Sequence, residues 1–237
     1  STTLNGEITS NRKGGNITIL NKHGFELGPD MEFHTFSGIR VGAVNSIDFD
    51  DGKKFTANGL IDQNLSEGIA IYQMESEQLT GSIKLLGASV KHYNSGNTGQ
   101  SDISLFGDVL DIAASVVTTT DGADINISGH TLGMINLSSL DAISPKGRNG
   151  GDVNVKVNNI SLDQSGMRTV SVGGIGGDVN IEANNIKTKD MLMSRIAADN
   201  YYLDGVRKNY KTGNINITAE DTFENERLLV AISSCTP

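Results

Sequence analysis

The chain has 237 residues, long enough for one large domain, and contains 28 Gly, 3 Pro, no Trp and only 5% aromatic residues. So few large rings exclude a core built on aromatic packing and suit many short strands joined by tight corners. A net charge of −9 argues against nucleic acid, whose phosphates need a clustered basic surface, and against docking on an anionic membrane.

Ser1–Lys13 is polar and shows no clear capping element. Beyond it a short phrase recurs, in which apolar residues occupy alternate positions after a polar or glycine-containing corner. Its apolar pairs are Ile17/Ile19, Ile47/Phe49, Ile83/Leu85, Ile103/Leu105, Ile125/Ile127, Val153/Val155, Val179/Ile181 and Ile215/Ile217. Alternation of this kind puts one face of a strand inward and the other into water. The first members of the pairs lie 20 to 36 residues apart. A short period with excesses of varying size predicts a solenoid, in which loops of different length bulge from constant coils. About seven residues after most first members comes a second apolar segment, at Phe25/Leu27, Val90, Leu110/Ile112, Leu132/Met134, Ile160/Leu162 and Phe223.

The clearest copies are GGDVNVKVNNISL at Gly150–Leu162 and GGDVNIEANNIKT at Gly176–Thr188. The paired Gly and paired Asn read as corners, because both tolerate a left-handed backbone. Strand, corner, strand is then one turn of a coil, and equivalent strands of successive coils run parallel about 4.8 Å apart. The expectation is an all-β parallel β-helix, a solenoid of about eight or more coils with two longer loop excursions. Residues 1–237 form a single β-helix domain on this reading, a segment of a larger protein. Glu224–Pro237 continues the pattern through Leu228, Leu229, Val230 and Ile232.

The first excursion is Asp50–Gly81, where Ile69, Ile71, Tyr72 and Met74 suggest an extra strand or short helix over the coil. The second is Lys189–Thr212. There Tyr201, Tyr202, Arg207, Lys208 and Tyr210 form the one compact basic and aromatic cluster and are the candidate ligand-binding residues. Rings beside charged donors suit a sugar; the competing reading packs the tyrosines onto the coil below.

Outward columns carry the remaining chemistry. Asp102, Asp124, Asp152 and Asp178 begin four consecutive strands, with Asn16, Ser46, Ser82 and Asn214 as uncharged equivalents. A short acceptor at a corner ties down turn N–H groups. The competing reading is a Ca²⁺ site built from Asp124, Asp152 and Asp178, since Ca²⁺ takes oxygen ligands. Asn126, Asn154, Asn180 and Asn216 form a second column, predicted to hydrogen-bond from coil to coil. His23, His34, His92 and His130 are scattered without metal-ligand spacing, and His34 sits at an outward alternating position. Cys235, the single cysteine, has no His near it in sequence on which to build a nucleophile. No apolar run reaches the ~18 residues of a membrane helix, and no signal segment opens the chain. No enzyme activity, cofactor or nucleic-acid partner is expected.

The phrase at Gly14–Ile19, GGNITI, followed by Phe33-His-Thr-Phe-Ser-Gly38, resembles the repeats of filamentous-haemagglutinin-like exoproteins. GGDVNVKVNNISL and TGNINITAEDTF (Thr212–Phe223) look like the same repeat. The resemblance covers about Gly14 to Ile232. It implies a single-stranded right-handed parallel β-helix, exported by the two-partner secretion route through an outer-membrane transporter. It also implies a secreted or bacterial cell-surface adhesin or structural shaft. The expected partners are a host or environmental glycan or surface, or further copies of the chain. The alternative is a carbohydrate-active or phage-type receptor-binding β-helix acting on polysaccharide.

Overall fold

The computed structural model describes residues 1–10, 17–35, 38–48, 54–56, 79–91, 102–120, 122–144, 148–172, 174–189, 195–201, 212–226 and 229–234. Among them the protein is all β, and two many-stranded sheets hold nearly all of its strands. The first contains β1 (Thr2–Leu4), β3 (Ile17–Leu20), β4 (Phe25–Leu27), β6 (Ile39–Ala43) and β9 (Ser82–Leu86). It continues through five eleven-residue strands: β11 (Ile103–Ala113), β13 (Ile125–Ile135), β15 (Val153–Asp163), β17 (Val179–Lys189) and β19 (Ile215–Asn225). The second runs β2 (Glu7–Ser10), β5 (Glu32–Thr35), β10 (Ser89–Lys91), β12 (Val116–Thr119), β14 (Ser139–Ser144), β16 (Gly166–Val172), β18 (Arg195–Tyr201) and β20 (Leu229–Ser234).

Pairing within both sheets is parallel. From β11 onward, each strand of the first sheet is followed in the chain by one of the second. Sequence neighbours therefore lie in different sheets, while sheet neighbours are one repeat apart, an arrangement compatible with a parallel β-helix. The reason lies in the inward columns. Ile103, Ile125, Val153 and Val179 stack in register, as do Leu110, Leu132, Ile160 and Ile186. The second sheet contributes Val90, Val117, Leu140 and Met167 to the same buried cluster. Full burial of each such side chain is worth about 1.5–3 kcal/mol, and no strand gains it without a neighbour on the stack.

Four expectations are corrected. First, the two apolar segments of the phrase are not two strands at a corner. Val153–Asp163 is one strand, and Asn158 and Asn159 are both exposed in its middle, where the inward parity shifts from Val157 to Ile160. Two outward residues in succession bend the strand without ending it, and parallel pairing resumes at Asn159↔Asn185. Secondly, the paired glycines are not left-handed. Among the described residues positive φ occurs instead at the single glycines Gly6, Gly24 and Gly122, and at Gly87, Ala114, Asn136, Leu137 and Gln164 around the corners that leave the first sheet. Gly151, Gly177 and Gly213 are needed because backbones touch there. A Cβ on each would overlap the carbonyl oxygen of Ala123, Gly151 and Gly177 respectively.

Thirdly, Ser46–Asp48 is not a ladder strand. This segment, β7, pairs antiparallel with β8 (Lys54–Thr56) in a separate two-stranded sheet. Fourthly, Ile83 is out of phase with Ile103. The first half of β11 pairs with β6, Ile103↔Ile39 to Gly107↔Ala43, and its second half with β9, Val109↔Ser82 to Ala113↔Leu86. The chain thus leaves the first sheet after Ala43, halfway along one strand position, and completes that position from Ser82. Ser46 and Ser82 are consequently not equivalents of the Asp column; Gly38 is, since Ile39 N–H donates to Asp102 O as Ile17 N–H donates to Gly38 O. The inserted segment packs Val44, Ile47 and Leu79 against Phe106, with Leu20 half-buried beside them, on the outer side of the sheet. Phe106 has outward parity and is nonetheless fully buried.

Residues 57–78 of the first excursion lie outside the described residues, and with them the suggested strand or helix around Ile69–Met74. His34 falls in β5 as expected for a strand, but its side chain and the whole of His92 lie outside the description.

Candidate functional site

The outward face of the first half of the long strands carries two columns side by side. One runs Ser104, Asn126, Asn154, Asn180, Asn216; the other runs Phe106, Ser128, Lys156, Glu182, Thr218. The expected amide ladder is present. Asn154 Nδ2 donates to Asn126 Oδ1 (3.0 Å), Asn180 Nδ2 to Asn154 Oδ1 (2.9 Å) and Asn216 Nδ2 to Asn180 Oδ1 (2.7 Å). Past the bend a shorter ladder repeats the device, with Asn185 Nδ2 donating to Asn159 Oδ1 and Thr222 Oγ1 to Asn185 Oδ1. Lys156 Nζ lies 3.0 Å from Glu182 Oε1. From Asn126 and Ser128 to Asn216 and Thr218, the two columns line a shallow trough of about 410 Å³ across four strands, with Glu220 also in its lining. Asn126 and Ser128 are 9% and 7% exposed, next in register to Ser104 and Phe106, while Asn216, Thr218 and Glu220 are open to solvent.

The aspartate column sits at the mouth of each strand. Its carboxylates do tie down N–H groups, but of the next repeat and not of their own corner. Asp102 Oδ1 accepts from Asp124 N–H (3.1 Å), Asp124 Oδ1 from Asp152 N–H (2.7 Å), Asp152 Oδ1 from Asp178 N–H (2.7 Å) and Asp178 Oδ1 from Asn214 N–H (2.7 Å). Desolvation by burial pushes the Asp124 carboxyl up to about 6; the Asp152 N–H bond opposes this, and the Asp102 and Asp152 charges add to the rise. Burial likewise raises Asp102 and Asp152. Among the described residues no three His, Cys, Asp or Glu side chains are grouped so as to hold a metal ion.

These shifts carry a sign. Asp124 binds its proton more tightly when folded than at its ordinary 3.8, so its contribution to stability is full below about pH 4 and is lost as pH rises through 6. The difference is on the order of 3 kcal/mol at ~1.4 kcal/mol per unit. Asp124→Asn keeps an oxygen for Asp152 N–H and carries no charge. The variant is therefore expected to melt higher than the parent at pH 7.5 and to lose that advantage at pH 4, in paired thermal unfolding curves. An equal offset at both pH values would show that the carboxyl does not titrate in this window.

Of the candidate ligand residues, Tyr201 is the last residue of β18, in register with Val172, so part of the second excursion is a regular strand of the second sheet. Its side chain, and all of Tyr202, Arg207, Lys208 and Tyr210, lie outside the described residues. Sequence reading missed three features whose members are about one repeat apart. His130 Nδ1 lies 2.5 Å from Asp108 Oδ1 at the bend. Arg168 Nε donates to Asp141 Oδ1 at 2.6 Å. A buried serine column at the corner leaving the first sheet satisfies backbone groups, with Ser138 Oγ donating to Ile112 O and Ser115 Oγ accepting from Ala88 N–H. A signal for these existed only in comparing equivalent positions of successive repeats. Compared with protein families, with curated proteins and with solved structures, the chain finds no match.

Proposed function

We propose that the chain is a stretch of a secreted or bacterial cell-surface adhesin or shaft, folded as a right-handed parallel β-helix of about eight coils. The observation that carries this reading is the stacking itself. Two eight-deep series of parallel strands, with amide and carboxylate ladders in register, make a unit that extends by repetition and can project inserted segments. A right hand is the one that parallel crossover connections take almost without exception. Eight strands at about 4.8 Å give a rod of roughly 40 Å. The filamentous-haemagglutinin-like resemblance agrees with such a rod and adds secretion through an outer-membrane transporter.

On this reading the inserted segments project from the coils and meet a cell surface or another copy of the chain. Aromatic and Arg side chains dominate contact energy where binding occurs. The triple change Tyr201, Tyr202 and Arg207 to Ala is expected to reduce attachment of protein-coated beads to cells, or self-association in sedimentation, with the melting temperature moving by only a few degrees. Unfolding of the triple variant would show that the rings pack on the sheet, and unchanged attachment would remove the loop from the binding surface.

A further inference from the structure

We infer that the trough along the Asn126, Asn154, Asn180 and Asn216 ladder binds a neutral linear polysaccharide laid across the strands. The inference rests on the proposed surface location only for where such a polymer is met. A primary amide has two N–H donors and two acceptor directions. An interior member of this ladder uses one N–H and one acceptor direction on its neighbours. One donor and one acceptor direction per rung remain for an occupant, repeated at the strand spacing of about 4.8 Å.

That row suits a polymer carrying a hydroxyl donor and acceptor on every unit at nearly the same interval, as an extended pyranose chain does. An extended peptide advances about 3.3 Å per residue, so its amides fall out of step with the rungs within a few units. Charge argues in the same direction. Among the described residues of the trough the one cation, Lys156, is paired with Glu182, and Glu220 adds a further negative charge, a balance that does not favour a sulfated or phosphorylated chain. The strip between the paired Lys156–Glu182 column and the ladder is also bounded at one end. There the column passes from Ser128 to Phe106, and Phe106 is packed under Val44, Ile47 and Leu79. Only the end at Asn216 and Thr218 is exposed, so an occupant covers the width of β13, β15, β17 and β19.

The test is calorimetric titration of the whole chain with cello-, chito-, xylo- and manno-oligosaccharides of two to six units, and with a heparin hexasaccharide. Binding by at least one neutral series is expected, strengthening with length and levelling off at about four to five units, the span of four strands. Thr218→Trp, at an exposed position, fills the trough while leaving every ladder residue in place and should weaken binding at least tenfold. Asn180→Ala, which removes one rung, should do the same, whereas Lys187→Ala on the far side of the bend should leave binding unchanged. Binding by no neutral series, tighter binding of heparin, or full affinity in both folded trough variants would overturn the inference. Oligosaccharide binding without attachment to cells would sink the adhesin reading alone; attachment that survives Thr218→Trp and Asn180→Ala, with no oligosaccharide bound, would sink this inference alone.

Discussion

Val155→Asp is expected to abolish the folded state, while Asn154→Asp, one residue away, is expected to leave the protein folded. Val155 stands in register between Ile127 and Ile181, in the continuous core shared by the two sheets, and is 2% exposed. A carboxylate there has no partner among those side chains. An unpaired buried charge costs several kcal/mol even after the group shifts its pKa to become neutral. The lost burial of the Val adds to that cost. Against a total stability of about 5–15 kcal/mol, the sum removes most or all of the folded population. At Asn154 the same carboxylate faces outward. It loses the donor to Asn126 but keeps an acceptor for Asn180, a change of about 1–2 kcal/mol. Circular dichroism during thermal unfolding separates the two outcomes. A cooperative transition for Val155→Asp within a few degrees of the parent would show that the inward parity is assigned to the wrong face.

Gly177→Ala is expected to destabilise by about 3 kcal/mol or more, at the upper end of what an inserted methyl group does in a packed interior. The new Cβ would overlap the carbonyl oxygen of Gly151, and on the other side Gly177's own carbonyl packs so close to Gly213 that a Cβ there would overlap it in turn. Both neighbours are backbone, so neither can rotate aside as a side chain would. Gly177 O also accepts from the buried Thr169 Oγ1 at 2.6 Å, so a displaced backbone would strand that hydroxyl. Gly133→Ala provides the contrast. Its Cβ would meet only Asp111 Oδ1, at 3.2 Å, at the end of a side chain that can move, and a change of less than about 0.5 kcal/mol is expected, as at an ordinary surface site. Equal losses in chemical denaturation for the two alanine variants would mean that conformational freedom at Gly177, and not close approach, is what the position requires.

The inward columns of the first sheet could be read directly from residue order. Val153, Val155, Val179 and Ile181 alternate with polar neighbours, and burial of one strand face imposes that period on any sequence that satisfies it. The amide ladder and the aspartate column followed from the same register, because residues at equal offsets in parallel strands must stack. The second sheet could not be read in this way. In β16, Thr169 and Ser171 are buried as fully as valines, since Thr169 Oγ1 donates to Gly177 O and Ser171 Oγ to Arg148 O. Thr119 and Ser144 behave alike in β12 and β14, on Ala123 O and Asn149 O. A hydroxyl whose hydrogen bond goes to a corner carbonyl costs little to bury, so the hydrophobic period that marks a strand is absent from these segments. The carbonyls that accept those bonds become neighbours only when the corner closes. The mid-strand departure of the chain after Ala43 was equally hidden. Ile39–Ala43 and Ser82–Leu86 each fit a strand, and only pairing along the two halves of β11 shows that they share one position in the sheet. The trough was hidden for the same reason. Its rungs come from four separate repeats, and its closed end depends on an apolar cluster that the insertion builds over Phe106. A residue's parity is decided by its immediate neighbours in the chain, whereas what covers its outward face is decided by segments that the fold alone brings to it.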